Sequence, residues 1–246
     1  MSTTREVPQN TVDTDDPSDG SSNRSSGWAA VRRPAPVWEP PALAMTVVVP
    51  HPDDEVLMFG GLIQLQRRRG VDMHVVAVTD GDASYPQIEP QRLGSVRRRE
   101  QLEALSVLGV DERSVHRLGV RDGNVAEQEE AVAEAVADLR TPIIVAPWVH
   151  DHHCDHEAIG RAAQHAAAHT GAAVYFGLFW SWTRTDPDRL AHERLIRLPL
   201  TPGLVSGRRE AIGKHRSQIT DDFAPAMLSE EMLEPLGWSD EYYVTS

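Results

Sequence analysis

Residues 43–70 read LAMTVVVPHPDDEVLMFGGLIQLQRRRG. The first part, 43–50, is almost continuously apolar and β-branched, which predicts a strand covered on both faces. From Glu55 to Gly70 the period changes: Val56, Phe59, Leu62, Ile63 and Leu65 recur at helical spacing. Arg67 to Arg69 suit the negative end of a helix dipole, and Gly70 suits its close. Between strand and helix lies Pro50-His51-Pro52-Asp53-Asp54-Glu55, in which four of six residues are titratable.

The same alternation runs outward along the chain. Strands are expected at 72–80 (DMHVVAVTD), 114–119 (SVHRLG), 142–148 (PIIVAPW) and 172–180 (AAVYFGLFW). Helices are expected at 92–110, 125–140, 155–171 and 207–219, the first stopping at Gly109 and the third at Gly171. Strands alternating with helices at this spacing predict an α/β fold, a Rossmann-like and mostly parallel sheet with helices on both faces. In such sheets ligands gather at the carboxyl ends of the strands, so the active site is expected there.

Composition narrows the function classes. The 246 residues carry 24 Lys+Arg against 37 Asp+Glu, a net charge of −13. That balance argues against nucleic acid as a partner, since phosphate binding needs clustered cations. A single cysteine, Cys154, cannot form an internal disulfide. No apolar run approaches the ~18–20 residues of a membrane span, so no membrane partner is expected. The opening MSTTREVPQN lacks an apolar signal core, which makes the cytoplasm the expected address. Residues 1–40 are rich in Ser, Thr, Asp and Pro and are expected to be a disordered tail, leaving 41–246 as one domain. Trp28 and Trp38 are the residues able to tether the end of that tail.

Chemistry concentrates in two segments. At 50–55 a helix cap accounts for one carboxylate, which would accept from free backbone N–H groups. It leaves His51 and the second carboxylate without a reason, whereas a divalent metal uses both. Both readings stand on this segment alone. The second segment, HDHHCDH at 150–156, follows the expected strand 142–148 and precedes a helix, so it belongs to the same sheet edge. His153 and His156 are three residues apart and share one side of the first helical turn. Two His/Asp clusters at one edge make a mononuclear site the better reading. With one cysteine in the chain, a catalytic site fits better than a structural one.

His-Pro-Asp-Asp-Glu at 51–55 together with His-Cys-Asp-His at 153–156 resembles the LmbE-like (PIG-L) family of zinc-dependent N-acetyl-sugar deacetylases. TDG at 79–81, Arg-x-x-Glu at 97–100, RLGVRDG at 117–123 and His-x-Ser-Gln at 215–218 match the family as well. The resemblance implies Zn²⁺ held by His51, Asp54 and His156, with Asp53 as general base toward the attacking water. It implies that His153 either stabilises the oxyanion or protonates the leaving amine, and that Asp155 orients a histidine. Arg97 would reach a substrate hydroxyl or phosphate, and His215 and Gln218 would line the pocket. The implied substrate is a small amino-sugar conjugate that loses an acetyl group.

Cys154 stands where the family often has proline and reads as a small residue in a turn. His150 and His152 read as loop or rim residues. An amidase of the same family acting on a larger amide, such as a thiol-sugar conjugate, is the near alternative. A non-catalytic sugar-binding relative is weakened by the intact set of His51, Asp53, Asp54, His153 and His156. A dinucleotide enzyme is opposed by the lack of Gly-x-Gly-x-x-Gly after the first strand; Gly60 and Gly61 instead fall inside the helix.

Overall fold

The computed structural model describes residues 21–222 and 224–245. The apolar run after Leu43 forms β1 (Met45–Val49), buried at all five positions. The other strands are β2 (Met73–Thr79), β3 (Val115–Val120), β4 (Ile143–Pro147), β5 (Ala173–Gly177), β6 (Leu195–Pro199) and β7 (Asp240–Thr245). The helices are α1 (Ser21–Arg32), α2 (Asp54–Arg68), α3 (Pro90–Val107), α4 (Glu129–Asp138) and α5 (Cys154–Thr170), then the short α6 (Ser181–Arg184) and α7 (Pro187–Leu190). After these come α8 (Pro202–Ile212), α9 (Arg216–Ile219) and α10 (Glu230–Leu233).

The seven strands of the described residues join one sheet in the order β3-β2-β1-β4-β5-β7-β6. The first five are parallel, and β7 runs antiparallel to both β5 and β6. Strand alternation divides the core in two. Val47 and Val49 pack in one apolar cluster with Phe59 and Ile63 of α2 and Leu105 of α3. Val48, facing the other way, packs in a second with Val132 of α4 and Ile159 of α5. Burial on both faces is what the unbroken valine run required.

The chain builds from β1 outward to β3 and then returns across β1 to lay down β4. At that reversal the loops after β1 and β4 diverge and leave a crevice at the carboxyl ends. Both His/Asp clusters lie on those two loops. Helix α2 can lie close to its neighbours because Gly61 has no side chain: a Cβ there would stand 2.6 Å from Leu200 Cδ2 and 2.8 Å from Glu241 Oε1. Among the described residues no helix is long and apolar enough to cross a membrane.

Three expectations are revised. Residues 1–20 lie outside the described residues, but 21–40 do not form a disordered tail. Trp28, Val31 and Ala35 are buried, and Trp28 packs edge-on against Trp182 with ring centroids 5.1 Å apart. Val37 bridges to Arg197 on edge strand β6, and Trp38 packs against Tyr175 and Tyr243. Polar composition hid these anchors because few large apolar residues suffice when a preformed surface receives them. The helix expected over 207–219 is two helices, α8 starting earlier behind Pro202 and α9, with Gly213 to His215 between them. The strands β6 and β7 were not expected. DEYYVT carries acidic residues, and Glu241 is buried only because Gly61 N–H, Leu62 N–H, the Tyr243 hydroxyl and Arg208 all meet its carboxylate.

Truncating an anchored tryptophan leaves a cavity, whereas truncating one on a free tail leaves nothing. Trp28→Ala is therefore expected to lower unfolding stability by about 3 kcal/mol, measured by urea titration. An unchanged midpoint would show that the segment does not pack on the domain.

Candidate metal centre

The loop leaving β1 makes a tight turn into α2, with Asp54 N–H donating to the His51 carbonyl at 3.3 Å. The Asp54 carboxylate folds back so that Oδ2 accepts from His51 N–H at 3.1 Å and meets His51 Nδ1 at 3.2 Å. Its other oxygen faces His156 Nε2 at 3.4 Å. Asp54 thus spans the two clusters that lie about a hundred residues apart in sequence. His156 sits on the first turn of α5, and its Nδ1 is fixed by Asp151 Oδ2 at 2.9 Å. Asp151 in turn accepts from Phe179 N–H, Trp180 N–H, Ser181 N–H and the Ser181 hydroxyl.

His51 Nε2 faces two more carboxylates, Asp122 at 3.1 Å and Asp155 at 3.3 Å. Asp155 also accepts from Gly123 N–H and Val125 N–H, which ties the loop after β3 to the site. Among the described residues, two sets of side chains have candidate ligand atoms within 4.8 Å of one another: His51, His153 and His156, and His51, Asp122 and Asp155. The expected trio of His51, Asp54 and His156 shares His51 with both sets and His156 with the first, and Asp54 meets both of its histidines.

Burial and charge set the protonation states. Burial pulls the His51 pKa down, yet hydrogen bonds to Asp122, Asp155 and Asp54 lift it well above the usual value. Burial also opposes the charge on His156, but Asp54 and Asp151 raise its pKa to about 9. Burial pushes Asp54 up, and His156 and His51 outweigh that to hold it far below the usual carboxylate range. His153 is pushed down to about 4 by burial and by the neighbouring His51 and His156.

Asp53 takes a conformation that L-residues avoid, with φ 131° and ψ −31°. Such a backbone costs about 1–3 kcal/mol and persists only when its surroundings over-determine it. Here Asp53 N–H donates to Glu55 Oε2 at 3.2 Å. Arg97 Nη2 donates to the Pro52 carbonyl at 2.8 Å and to Asp53 Oδ2 at 3.2 Å. Glu55 is itself gripped by Gln101 Nε2 at 3.1 Å and faces His215 Nε2 at 3.4 Å, with Glu55 and His215 fully buried. Burial raises the Asp53 pKa to about 6, against the pull of Arg97 and with the push of Asp54.

A cavity of about 390 Å³ opens over these groups. His51, Asp53, Asp54, Asp122, His153 and His156 line it, as do Trp180, Arg184, Gln218 and Met227. Two of the substrate-contact expectations are therefore revised. Arg97 borders the cavity but is 3% exposed, and its donors go to Asp53, Pro52, Gly81 and Ser84. His215 lies behind Asp53 rather than on the cavity wall. Gln218 does line the cavity, its Nε2 donating to Ser217 Oγ. Asp155 does reach a histidine, and that histidine is His51. Cys154 is exposed at the cavity edge. His150 packs on Trp148, and His152 meets Thr185 Oγ1 at 2.6 Å, both off the cavity wall.

Asp122 and Asp151 carried no assignment from sequence. Asp122 stands in the RLGVRDG segment already noted, but no spacing rule links it to His51. Asp151 lies inside the histidine-rich loop, and its four donors from 179–181 meet it only in the folded chain.

The donor set fits a divalent metal. His156 Nε2 is buried with no hydrogen-bond partner, while Asp151 holds its Nδ1. That pairing of a carboxylate with one imidazole nitrogen leaves the other lone pair for a cation. Two imidazoles and a carboxylate make a three-ligand set of the catalytic kind.

Residues 46–167 match the family model PIG-L, GlcNAc-PI de-N-acetylase. That segment, just under half of the chain, is a domain of the PIG-L (LmbE-like) family. It is 29% identical over 127 residues to the probable N-acetyl-alpha-D-glucosaminyl L-malate deacetylase 2 of Bacillus subtilis, a match covering 47% of this chain and 57% of that protein. It thus spans little more than half the length of that relative. With the 1D-myo-inositol 2-acetamido-2-deoxy-alpha-D-glucopyranoside deacetylase of Mycolicibacterium gilvum it shares 27% identity, over 79% of this chain and 87% of that one. The fold is that of the N,N'-diacetylchitobiose deacetylase of Pyrococcus horikoshii, with a TM-score of 0.61 and 21% identity, over 81% of this chain and 82% of that chain.

A metal held by His51 and His156 would compete with protons there, so pH would act on stability and on metal binding in opposite directions. The folded pKa of His156, about 9, exceeds its ordinary 6.5. Its contribution to metal-free stability is full below 6.5 and is lost as pH rises through 9. Over that interval the melting temperature of the metal-free protein is expected to fall and Zn²⁺ affinity to rise. Thermal unfolding and metal titration at several pH values check both signs.

Proposed function

We propose that the protein is a zinc-dependent N-deacetylase that removes the acetyl group from an N-acetylglucosamine-type glycoside or conjugate. The observation that carries this reading is the buried, unpartnered His156 Nε2, aimed at Asp54 beside the strained carboxylate of Asp53. His51, Asp54 and His156 would hold the zinc. Bound there, the ion supplies Lewis acidity, polarising the amide carbonyl and making a water easier to deprotonate.

The remaining chemistry belongs to the chain. Asp53 takes a proton from the water as its oxygen attacks the acetamide carbon. Arg97 holds the Asp53 carboxylate in place, and its cation favours the ionised base. His153 caps α5, its Nδ1 accepting from Asp155 N–H at 3.3 Å. That bond places the proton of the neutral ring on Nε2, which is left to donate to the oxyanion on the cavity side. Of the two roles expected for His153, this geometry favours oxyanion stabilisation. As the tetrahedral carbon collapses, its bond to nitrogen breaks, and the nitrogen takes the proton from Asp53. Acetate and a free amine leave. The relatives whose names specify N-acetylglucosaminyl substrates support the choice of sugar.

Two variants separate metal binding from catalysis. Asp53→Asn is expected to keep about one zinc per chain and lose turnover by 10²-fold or more, on the order of a lost general base. His156→Ala is expected to lose the metal, because it removes the ligand and leaves Asp151 with a buried unpaired charge. Metal content by plasma emission and acetate release from N-acetylglucosaminyl glycosides measure the two effects. Full zinc occupancy in His156→Ala would refute the ligand set.

A further inference from the structure

Among the described residues, the cavity has one exposed guanidinium with donors free to meet a ligand. Arg184, at the end of α6, is exposed and lies over the Trp180 ring, its Cζ 3.8 Å from the centroid. Its Nη1 donates to the His152 carbonyl at 3.0 Å. Among the described residues no hydrogen-bond acceptor meets its Nε or Nη2. Those two atoms form one edge of the guanidinium, the edge that binds a carboxylate side-on through two parallel hydrogen bonds. Stacking on the ring and the bond to His152 hold the plane, so little freedom is lost when an anion docks.

The other guanidinium bordering the cavity cannot take this part. Arg97 is 3% exposed, and both its Nη atoms are bound to Asp53, Pro52, Gly81 and Ser84. Asp151, the carboxylate nearest in charge to Arg184, is already met by four donors from 179–181 and by His156. Trp180 also lies parallel to His153, with ring centroids 6.1 Å apart and planes at 14°. The indole therefore forms a flat wall running from the reaction centre to the guanidinium.

We propose that Arg184, held on Trp180, is a subsite for a carboxylate on the part of the substrate beyond the sugar. The inference rests on the deacetylase reading and narrows it to conjugates with an anionic aglycone. A sugar whose acetamide sits between Asp53 and His153 lays its glycosidic group along Trp180, and the carboxylate reaches Nε and Nη2.

The test compares the methyl and carboxymethyl glycosides of N-acetylglucosamine, which differ by one carboxylate. The zinc-loaded protein is expected to prefer the carboxymethyl glycoside by about tenfold in kcat/KM, the order of one charge-assisted bond at an open rim. In Arg184→Gln the ratio is expected to fall to about one. A ratio that is the same in both proteins, even with both rates reduced, overturns the subsite and leaves the deacetylase reading standing. If neither glycoside is hydrolysed, or bound in calorimetry, the deacetylase reading falls and the subsite with it.

Discussion

Carboxylates taken out of water stay ionised only where positive charge meets them, and the crevice between β1 and β4 is built around that requirement. Asp54, Asp122 and Asp155 all converge on His51, and Asp54 also faces His156. Without compensation these groups would each take up a proton or force the loops apart. Protonated imidazoles meet the need in the metal-free protein, and a divalent cation meets it with more charge. The loops after β1, β3 and β4 are therefore held together by the same charges that would bind the metal.

A second constraint is the placement of Asp53. In the proposed reaction a base must stand beside its proton without competing for the metal, and the adjacent Asp54 already faces both histidines. The chain separates the two by twisting Asp53 into a conformation it does not favour. Glu55, Arg97 and Gln101 hold it there, from α2 and α3, and His215 backs Glu55 from the segment before α9. Arg97, at the cavity border, and His215 thus spend their contacts on Asp53 and Glu55, while Trp180, Arg184, Gln218 and Met227 line the cavity beyond the His/Asp cluster.

Much of this was legible in the residues. The valine run at 47–49 required a doubly covered strand, and the helical period from Val56 required a helix packed on it. The His/Asp clusters fell at strand ends because of the α/β order. Other features follow no local rule. Glu241 reads as a surface acid, yet it is buried because three donor groups from α2 and α8 and the Tyr243 hydroxyl of its own strand reach it. Trp28 and Val31 sit in a polar stretch and order it only by docking on a surface built by later residues. Arg97 reads as a free cation, and only packing shows its donors taken.

The sequence by itself determined the alternation of strands and helices, the edge of the sheet where chemistry sits, and the residue types able to hold zinc and move a proton. Those properties are local, since they depend on side-chain periodicity and on neighbours a few positions apart. Tertiary structure alone decided which carboxylate meets which imidazole, which guanidinium supports the base, and which remains open at the cavity mouth. Hydrogen bonds between Asp151 and residues 179–181, or between His51 and Asp122, join segments whose distance is set by the whole sheet. No spacing along the chain encodes that distance, because it is the product of the strand order and of the packing that fixes it.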